Sequence, residues 1–238
     1  MNPSKIAVLV AGCGHLDGAE INETVMTLLA LRLQGLKPEA FGINKPLADT
    51  LDHLLRQPQL EAPRNGLREA ARILRGDICD ISHLNPSDFS GLAIPGGFGV
   101  AKNFCSFATD GKNAEIQPEI ENVLSQFIKL KRPILAVCIA PALVGLVARK
   151  LSPPKSFRMT LGLSDNSASQ VCREMGHEMV SCPPEACVVD PAHKLVTTPA
   201  FMHDTSIETI WPGINKAVSQ FSEMISIDPS RSRTELSL

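Results

Sequence analysis

At 238 residues and 44% hydrophobic content, the chain is long enough for one large α/β domain with a sizeable core. A formal net charge of −2, with no basic run and no aromatic-basic stripe, argues against nucleic acid or an anionic membrane as partner. No apolar stretch reaches the ~18 residues of a membrane span, and residues 1–5 lack the zones of a signal peptide, so a cytoplasmic protein is the expectation.

Residues 5–11 (KIAVLVA) read as a buried strand. A loop over residues 12–18 leads into a helix over residues 19–33, which puts Ile21, Val25, Leu28, Leu29 and Leu33 on one face and stops at Gly35. Residues 39–43 read as a second strand, and residues 44–63, polar and broken by prolines, as an excursion over the surface. A helix over residues 65–74 closes at Gly76, and a strand over residues 91–94 stops at Pro95-Gly96-Gly97. Pro118 suits the first turn of a helix over residues 118–130. The apolar run 133–137 (PILAV) ends at Cys138, and a helix over residues 141–149 starts at once. Further strands are expected over residues 157–163, 177–181, 187–190 and 195–198, and helices over residues 168–175 and 205–225, the latter interrupted at Pro212-Gly213. The polar, serine-rich residues 228–238 read as a disordered tail beyond a single domain over residues 1–227.

Strands alternating with helices imply a mostly parallel sheet covered on both faces, whose sites lie at the carboxyl ends of the strands. Three candidate segments end strands here: 12–18, 95–99 and 138–141. The seven cysteines, at 13, 79, 105, 138, 172, 182 and 187, include no CxxC pair and no His-paired zinc framework, so no metal is expected. Most read as small apolar residues in a reducing compartment.

Cys138 stands apart because of its neighbours. A nucleophile elbow brings together the residues two before and two after the nucleophile, so both must be small, and Ala136 and Ala140 are. Pro141 fits the first turn of the helix that follows. The thiol would then face a helix N-terminus, whose partial positive charge favours thiolate. Spacing alone fits a buried strand-end cysteine equally well. The Gly96-Gly97 pair adds to the case: glycines after a strand let backbone N–H groups point into a cleft. The amides of Gly97 and Ile139 are candidates for an oxyanion hole.

A proton acceptor is also needed. Glu20 and Glu23, three apart on the first helix, share roughly one face, and either is a candidate. None of the six histidines adjoins Cys138, though His15 and His203 follow strands and are candidates to face the cleft. The glycines at 12, 14 and 18 only partly match a dinucleotide-binding loop, since the third is one position late and Asn44 stands where a ribose-binding acid belongs.

Together the segments GCGHLDGAEINETV, IPGGFGVAKNF and AVCIAP resemble the PfpI and class I glutamine amidotransferase-like superfamily, and within it the ElbB-type, glyoxalase-like branch. The resemblance extends over nearly the whole chain. It implies a flavodoxin-like three-layer sandwich with Cys138 on the elbow, Glu23 rather than Glu20 as its hydrogen-bonded acid, and Gly97 and Ile139 as oxyanion donors. Glu20, His15, Gly96, Asn103 and His203 are the candidate pocket lining. The chain departs from PfpI-type proteases in having Ile139, not His, after the cysteine.

The implied activity is a cofactor-independent, glutathione-independent glyoxalase that converts glyoxal or a similar small 2-oxoaldehyde into a 2-hydroxy acid through a Cys138 hemithioacetal. The alternative is a redox sensor or chaperone-like protein that works through oxidation of Cys138. The expected partners are a small aldehyde and a second copy in a homodimer, with no nucleic acid, membrane, metal or cofactor.

Overall fold

The computed structural model describes residues 3–59 and 64–226; the expected tail at 228–238 lies outside the described residues. Strand β1 (Lys5–Leu9) is buried from Ile6 onward. Helix α1 (Ile21–Leu33) is capped by Glu20 and leads to β2 (Lys37–Gly42). The polar excursion carries a small hairpin, β3 (Leu51–Asp52) with β4 (Gln57–Pro58). Asn65 caps α2 (Gly66–Ile73), and β5 (Cys79–Asp80) and β6 (Gly91–Ile94) follow. After a π-helical turn over Val100–Phe104 come α3 (Phe107–Asp110), α4 (Pro118–Lys129), β7 (Ile134–Val137) and α5 (Ala140–Lys150). The remainder is β8 (Arg158–Met159), α6 (Ser167–Glu174), β9 (Glu178–Met179), β10 (Val188–Asp190), β11 (Leu195–Thr198) and α7 (Ile207–Ser226).

Seven strands form one sheet in the order β10-β11-β7-β6-β1-β2-β5, parallel throughout except for the β10–β11 pair. Helices cover both faces, giving the mostly parallel, doubly covered sheet that the alternation of elements predicts and the flavodoxin-like α/β sandwich that the family resemblance implies. One core cluster joins α4 and α5 to one face of the sheet, and a second joins α1 and α7 to the other. Helix α5 is the most enclosed, with residues 140–148 all buried and the basic pair Arg149-Lys150 left at its exit. Each of its large aliphatic side chains contributes roughly 1.5–3 kcal/mol relative to exposure.

The structure departs from the sequence expectation in three elements. The apolar stripe of α1 faces outward: Ile21, Val25, Leu29 and Leu33 are exposed, while Glu23, Thr24, Thr27, Ala30 and Leu31 are buried against α7 and the sheet. The buried face of α1 is thus partly polar because it carries part of the site. Helix α7 runs unbroken through Pro212, held by the inward row Ile210, Ile214, Ala217, Val218 and Phe221. Residues 157–163 and 177–181 contribute only the two-residue strands β8 and β9, which pair with each other outside the main sheet.

Candidate active site

The carboxyl ends of β1, β6, β7 and β11 converge on Cys138, next to the point where the chain switches direction about β1. Cys138 links β7 to α5 with φ of 60°. That left-handed conformation costs roughly 1–2 kcal/mol for a residue with a Cβ, and it turns the thiol out of the strand line. Ala136 and Ala140 are fully buried on either side, as the tight turn requires. The Cys138 N–H donates to the Thr198 carbonyl at 2.9 Å, fastening the elbow to β11. The residue is only 8% exposed.

Glu23 reaches the thiol from α1. Its carboxyl is fully buried, accepts the Gly96 N–H at 3.1 Å and the Phe201 N–H at 3.2 Å, and hydrogen-bonds Cys138. Gly96 must be glycine: a Cβ there would collide with both Cys138 and the Glu23 carboxylate. Gly97, at φ +97°, packs against the Gly18–Glu20 backbone, and its N–H and that of Ile139 both donate to the Cys138 sulfur. The backbone ties the two loops together, since Glu20 N–H donates to the Gly96 carbonyl at 2.9 Å and Phe98 N–H to that of His15 at 2.8 Å.

Burial pushes the Glu23 carboxyl from its ordinary 4.5 up to about 8, with the nearby Glu20 charge adding to the rise and the Phe201, Cys138 and Gly96 hydrogen bonds opposing it. Burial also pushes the Cys138 thiol well above its ordinary value, followed by the charge of Glu23; the Gly97 and Ile139 amides pull the other way. The helix N-terminus therefore does not produce a thiolate at rest, contrary to the sequence expectation, because desolvation outweighs it. What the site holds is a protonated thiol beside a carboxyl that keeps its own proton until the pH approaches about 8, where it becomes a base able to take a proton from its neighbours.

Above the pair opens a cleft of about 510 Å³. Cys138, Gly97, Ile139, Glu20 and His15 line its base and rim, and Phe98, Ala101, Phe107, Val171, Phe201 and Met202 are among its apolar walls. Glu20 is both lining and cap: one oxygen accepts the Glu23 N–H at 2.6 Å, and burial raises its carboxyl. His15 stacks edge-on against His53 at 5.2 Å, and burial first, then His53, holds it below its ordinary pKa.

The other sequence candidates stand outside the cleft. Asn103 is a buried tie that donates to the Ala11 and Asp17 carbonyls at 3.0 and 2.8 Å and accepts the Ala48 N–H at 2.9 Å, locking the loop after β1. The ring of His203 contacts the Cys182 carbonyl at 2.9 Å and does not line the cleft. Gly96 acts through its N–H on Glu23 rather than as a wall. Sequence reasoning missed Phe201 and Met202. Their signal was the strand order, because β11 neighbours β7 and its following residues must fall beside Cys138. The walls from α3 and α6 carried no local signal. Among the described residues, no group of three or more His, Cys, Asp or Glu is placed to hold a metal ion, and no helix is long and apolar enough to cross a membrane.

Known proteins resemble this chain in sequence and in fold. The chain is similar to glutamine amidotransferase-like class 1 domain-containing protein 3, mitochondrial, of Homo sapiens, at 34% identity over 223 residues, covering 93% of this chain and 83% of the relative. It is similar to the mitochondrial ES1 protein homolog of Rattus norvegicus at 33% identity over 229 residues, covering 93% and 84%. Among solved structures it matches an isoprenoid biosynthesis protein with an amidotransferase-like domain from Ehrlichia chaffeensis, with 34% identity, a TM-score of 0.85, and coverage of 93% of this chain and 99% of that one. A glyoxalase III from Candida albicans shares the fold at 14% identity and a TM-score of 0.59, covering 94% and 96%. No protein-family model matches the chain. These relatives correct the expectation of a cytoplasmic protein, since both curated ones are named as mitochondrial.

Proposed function

We propose that this chain, which belongs to the ES1-type, glutamine amidotransferase-like class 1 family of the DJ-1/ThiJ/PfpI superfamily, is a cofactor-independent glyoxalase of the ElbB type that turns a 2-oxoaldehyde into a 2-hydroxy acid. The observation that carries the reading is the buried Cys138–Glu23 pair under two converging amides. The glyoxalase III of the same fold supports it at the level of architecture.

The chemistry follows from the geometry. Sulfur adds to the aldehyde carbon C1, a C–S bond forms, and the thiol proton passes by way of Glu23 to the former aldehyde oxygen. The Gly97 and Ile139 N–H groups, which meet the sulfur at rest, hold that oxygen while it carries charge. Glu23 then removes the proton on C1. The electron pair moves to give an enediol, and C2 takes a proton in return. C1 is oxidised and C2 reduced within the same molecule, leaving a 2-hydroxy thioester on Cys138. Water cleaves the C1–S bond, releasing the 2-hydroxy acid and restoring the thiol. A base raised to about 8 is matched to carbon-proton abstraction near neutral pH far better than an ordinary carboxylate.

The test is turnover of methylglyoxal in heavy water. The expected result is saturable formation of lactate carrying deuterium at C2, lost in Cys138→Ala. Absence of saturable turnover with any 2-oxoaldehyde would sink the reading. The redox-sensor alternative uses the same thiol, but peroxide oxidises thiolates, and burial here disfavours the thiolate.

A further inference from the structure

We infer that the cleft takes a 2-oxoaldehyde bearing an uncharged, apolar substituent of about hexyl size, and that glyoxal itself fits the site poorly; this rests on the glyoxalase reading and narrows it. Size makes the first argument. The cleft measures about 510 Å³, whereas glyoxal has four non-hydrogen atoms and would fill roughly a quarter of it at ~30 Å³ each, taking water as yardstick. The rest of the space must be filled by ligand or by water held against apolar walls.

The walls make the second argument. Beyond the thiol, the cleft is lined by Phe98, Ala101, Phe107, Ala168, Val171 and Met202, with Thr109 and Ser167 adding two hydroxyls. Such a surface rewards alkyl or aryl carbon and offers little to a polar tail. Small residues leave the room: Ala108 on α3 and Ala168 on α6 line the cleft where larger side chains would close it.

Charge makes the third. Among the described residues, no lysine or arginine lines the cleft, and its one ionisable acid at the rim is Glu20. His15, the remaining titratable group of the rim, is held below its ordinary pKa and so adds no positive charge at neutral pH. A substrate tail carrying phosphate or carboxylate would meet a neutral to negative wall with nothing to pair it. The tail is therefore neutral, and the reactive dicarbonyl end sits at the polar base where the amides and Glu23 converge.

Two measurements test this, and they fail independently. In the first, hexanal and acetaldehyde compete with iodoacetamide for Cys138 at pH 8.5, read by peptide mass mapping, with mercaptoethanol as the free-thiol control. Both aldehydes can form a hemithioacetal, but lacking a 2-oxo group they go no further. Hexanal is expected to protect at a concentration at least about tenfold lower than acetaldehyde. In the second, kcat/KM is compared for 2-oxooctanal and methylglyoxal, and the longer substrate is expected to lead by at least about tenfold. Ala108→Phe and Ala168→Phe should each cut both preferences to below about threefold; Ala108 is exposed on α3, so the first substitution is expected to fold even if the second does not. Equal protection by the two aldehydes, or a preference that survives both wall substitutions, overturns the proposal. Preferential protection without turnover of either 2-oxoaldehyde removes the glyoxalase reading and leaves the apolar site standing. Turnover without preference does the reverse.

Discussion

Cys138 and Cys172 are both buried thiols, and burial raises both above the ordinary value, Cys172 to about 12. Cys172 lies on α6 with ordinary helical backbone, and desolvation is the whole of its environment. Cys138 sits at φ 60°, with two N–H donors at its sulfur and a fully buried carboxyl beside it. The contrast separates two things that burial confounds. Desolvation alone makes a thiol inert, because the anion has nowhere to be stabilised and the proton nowhere to go. Adding a proton acceptor and converging amides turns the same desolvation into an asset, since it raises Glu23 into the range where it exchanges protons near neutral pH.

The largest expected effect tests that contrast directly. Cys138→Ala should abolish 2-oxoaldehyde turnover, whereas Cys172→Ala should keep it within about threefold while lowering the melting temperature through a small core cavity. An inactive, folded Cys172→Ala protein would erase the distinction. Next in size is Glu23→Gln, which keeps an acceptor oxygen for one of the two amides that the carboxyl accepts on separate oxygens, Gly96 and Phe201, and cannot shuttle a proton; kcat should drop by roughly 10²–10⁴. Its Cys138 should nevertheless alkylate at lower pH than in wild type, because the Glu23 charge that opposes the thiolate is gone. Alkylation that moves to higher pH would mean that Glu23 stabilises the thiolate by donating its proton to it instead of opposing it, reversing the effect assigned above.

A smaller effect appears in stability. A carboxyl whose folded pKa is raised from 4.5 to about 8 holds its proton longer in the native state than in the unfolded chain. Stability is therefore unaffected by this group below its ordinary value, declines as pH rises through the window between the two values, and stays reduced above it. Between pH 5 and pH 8.5 the loss amounts to roughly 4 kcal/mol. Glu23→Gln lacks this titration, so its advantage over wild type in denaturant melts should grow by about that much from pH 5 to pH 8.5. An advantage that is flat with pH would mean that Glu23 is not desolvated as its burial implies.

Much of this architecture could be read from the chain. The apolar runs that became β1, β6, β7 and β11 are short, bounded by Gly, Pro or polar residues, and buried on both faces, so their identity was written locally. The elbow was legible because its steric rule acts on residues 136 and 140, two positions from the thiol. What could not be read depends on tertiary neighbours. The stripe of α1 looked like a core face, yet the opposite face is buried, because Glu23 and the threonines have partners in the sheet and α7 that no local pattern reveals. Asn103 sits in the same segment as Gly96 and Gly97, but the π-helical turn that begins at Val100 swings it under the loop after β1 rather than into the cleft. The walls from α3 and α6 come from distant parts of the sequence, and nothing local to Phe107, Ala108, Ala168 or Val171 marks them as lining one cleft.

The smallest expected effect concerns Glu20, which sequence alone left level with Glu23. The structure gives it two duties that can be pulled apart. As the cap of α1 it accepts the Glu23 N–H at 2.6 Å, and as a charge it is the second contribution, after burial, to the raised carboxyl of Glu23. Glu20→Gln keeps an acceptor oxygen and removes the charge. Ionising Glu23 then places one negative charge in the site instead of two, so its pKa falls toward the ordinary value. The rising limb of kcat/KM against pH, which in wild type follows Glu23 ionisation toward about 8, should shift toward acid. The plateau should drop by less than about threefold, because Glu23 is fully ionised there in both proteins and only its basicity differs. Glu20→Ala removes cap and charge together: it should show the same acid shift plus a stability loss of about 1 kcal/mol. A profile that does not move in Glu20→Gln would show that the two carboxyls do not sense each other. A plateau reduced a hundredfold or more would make Glu20, which lines the cleft where Glu23 does not, the group that takes the proton from carbon.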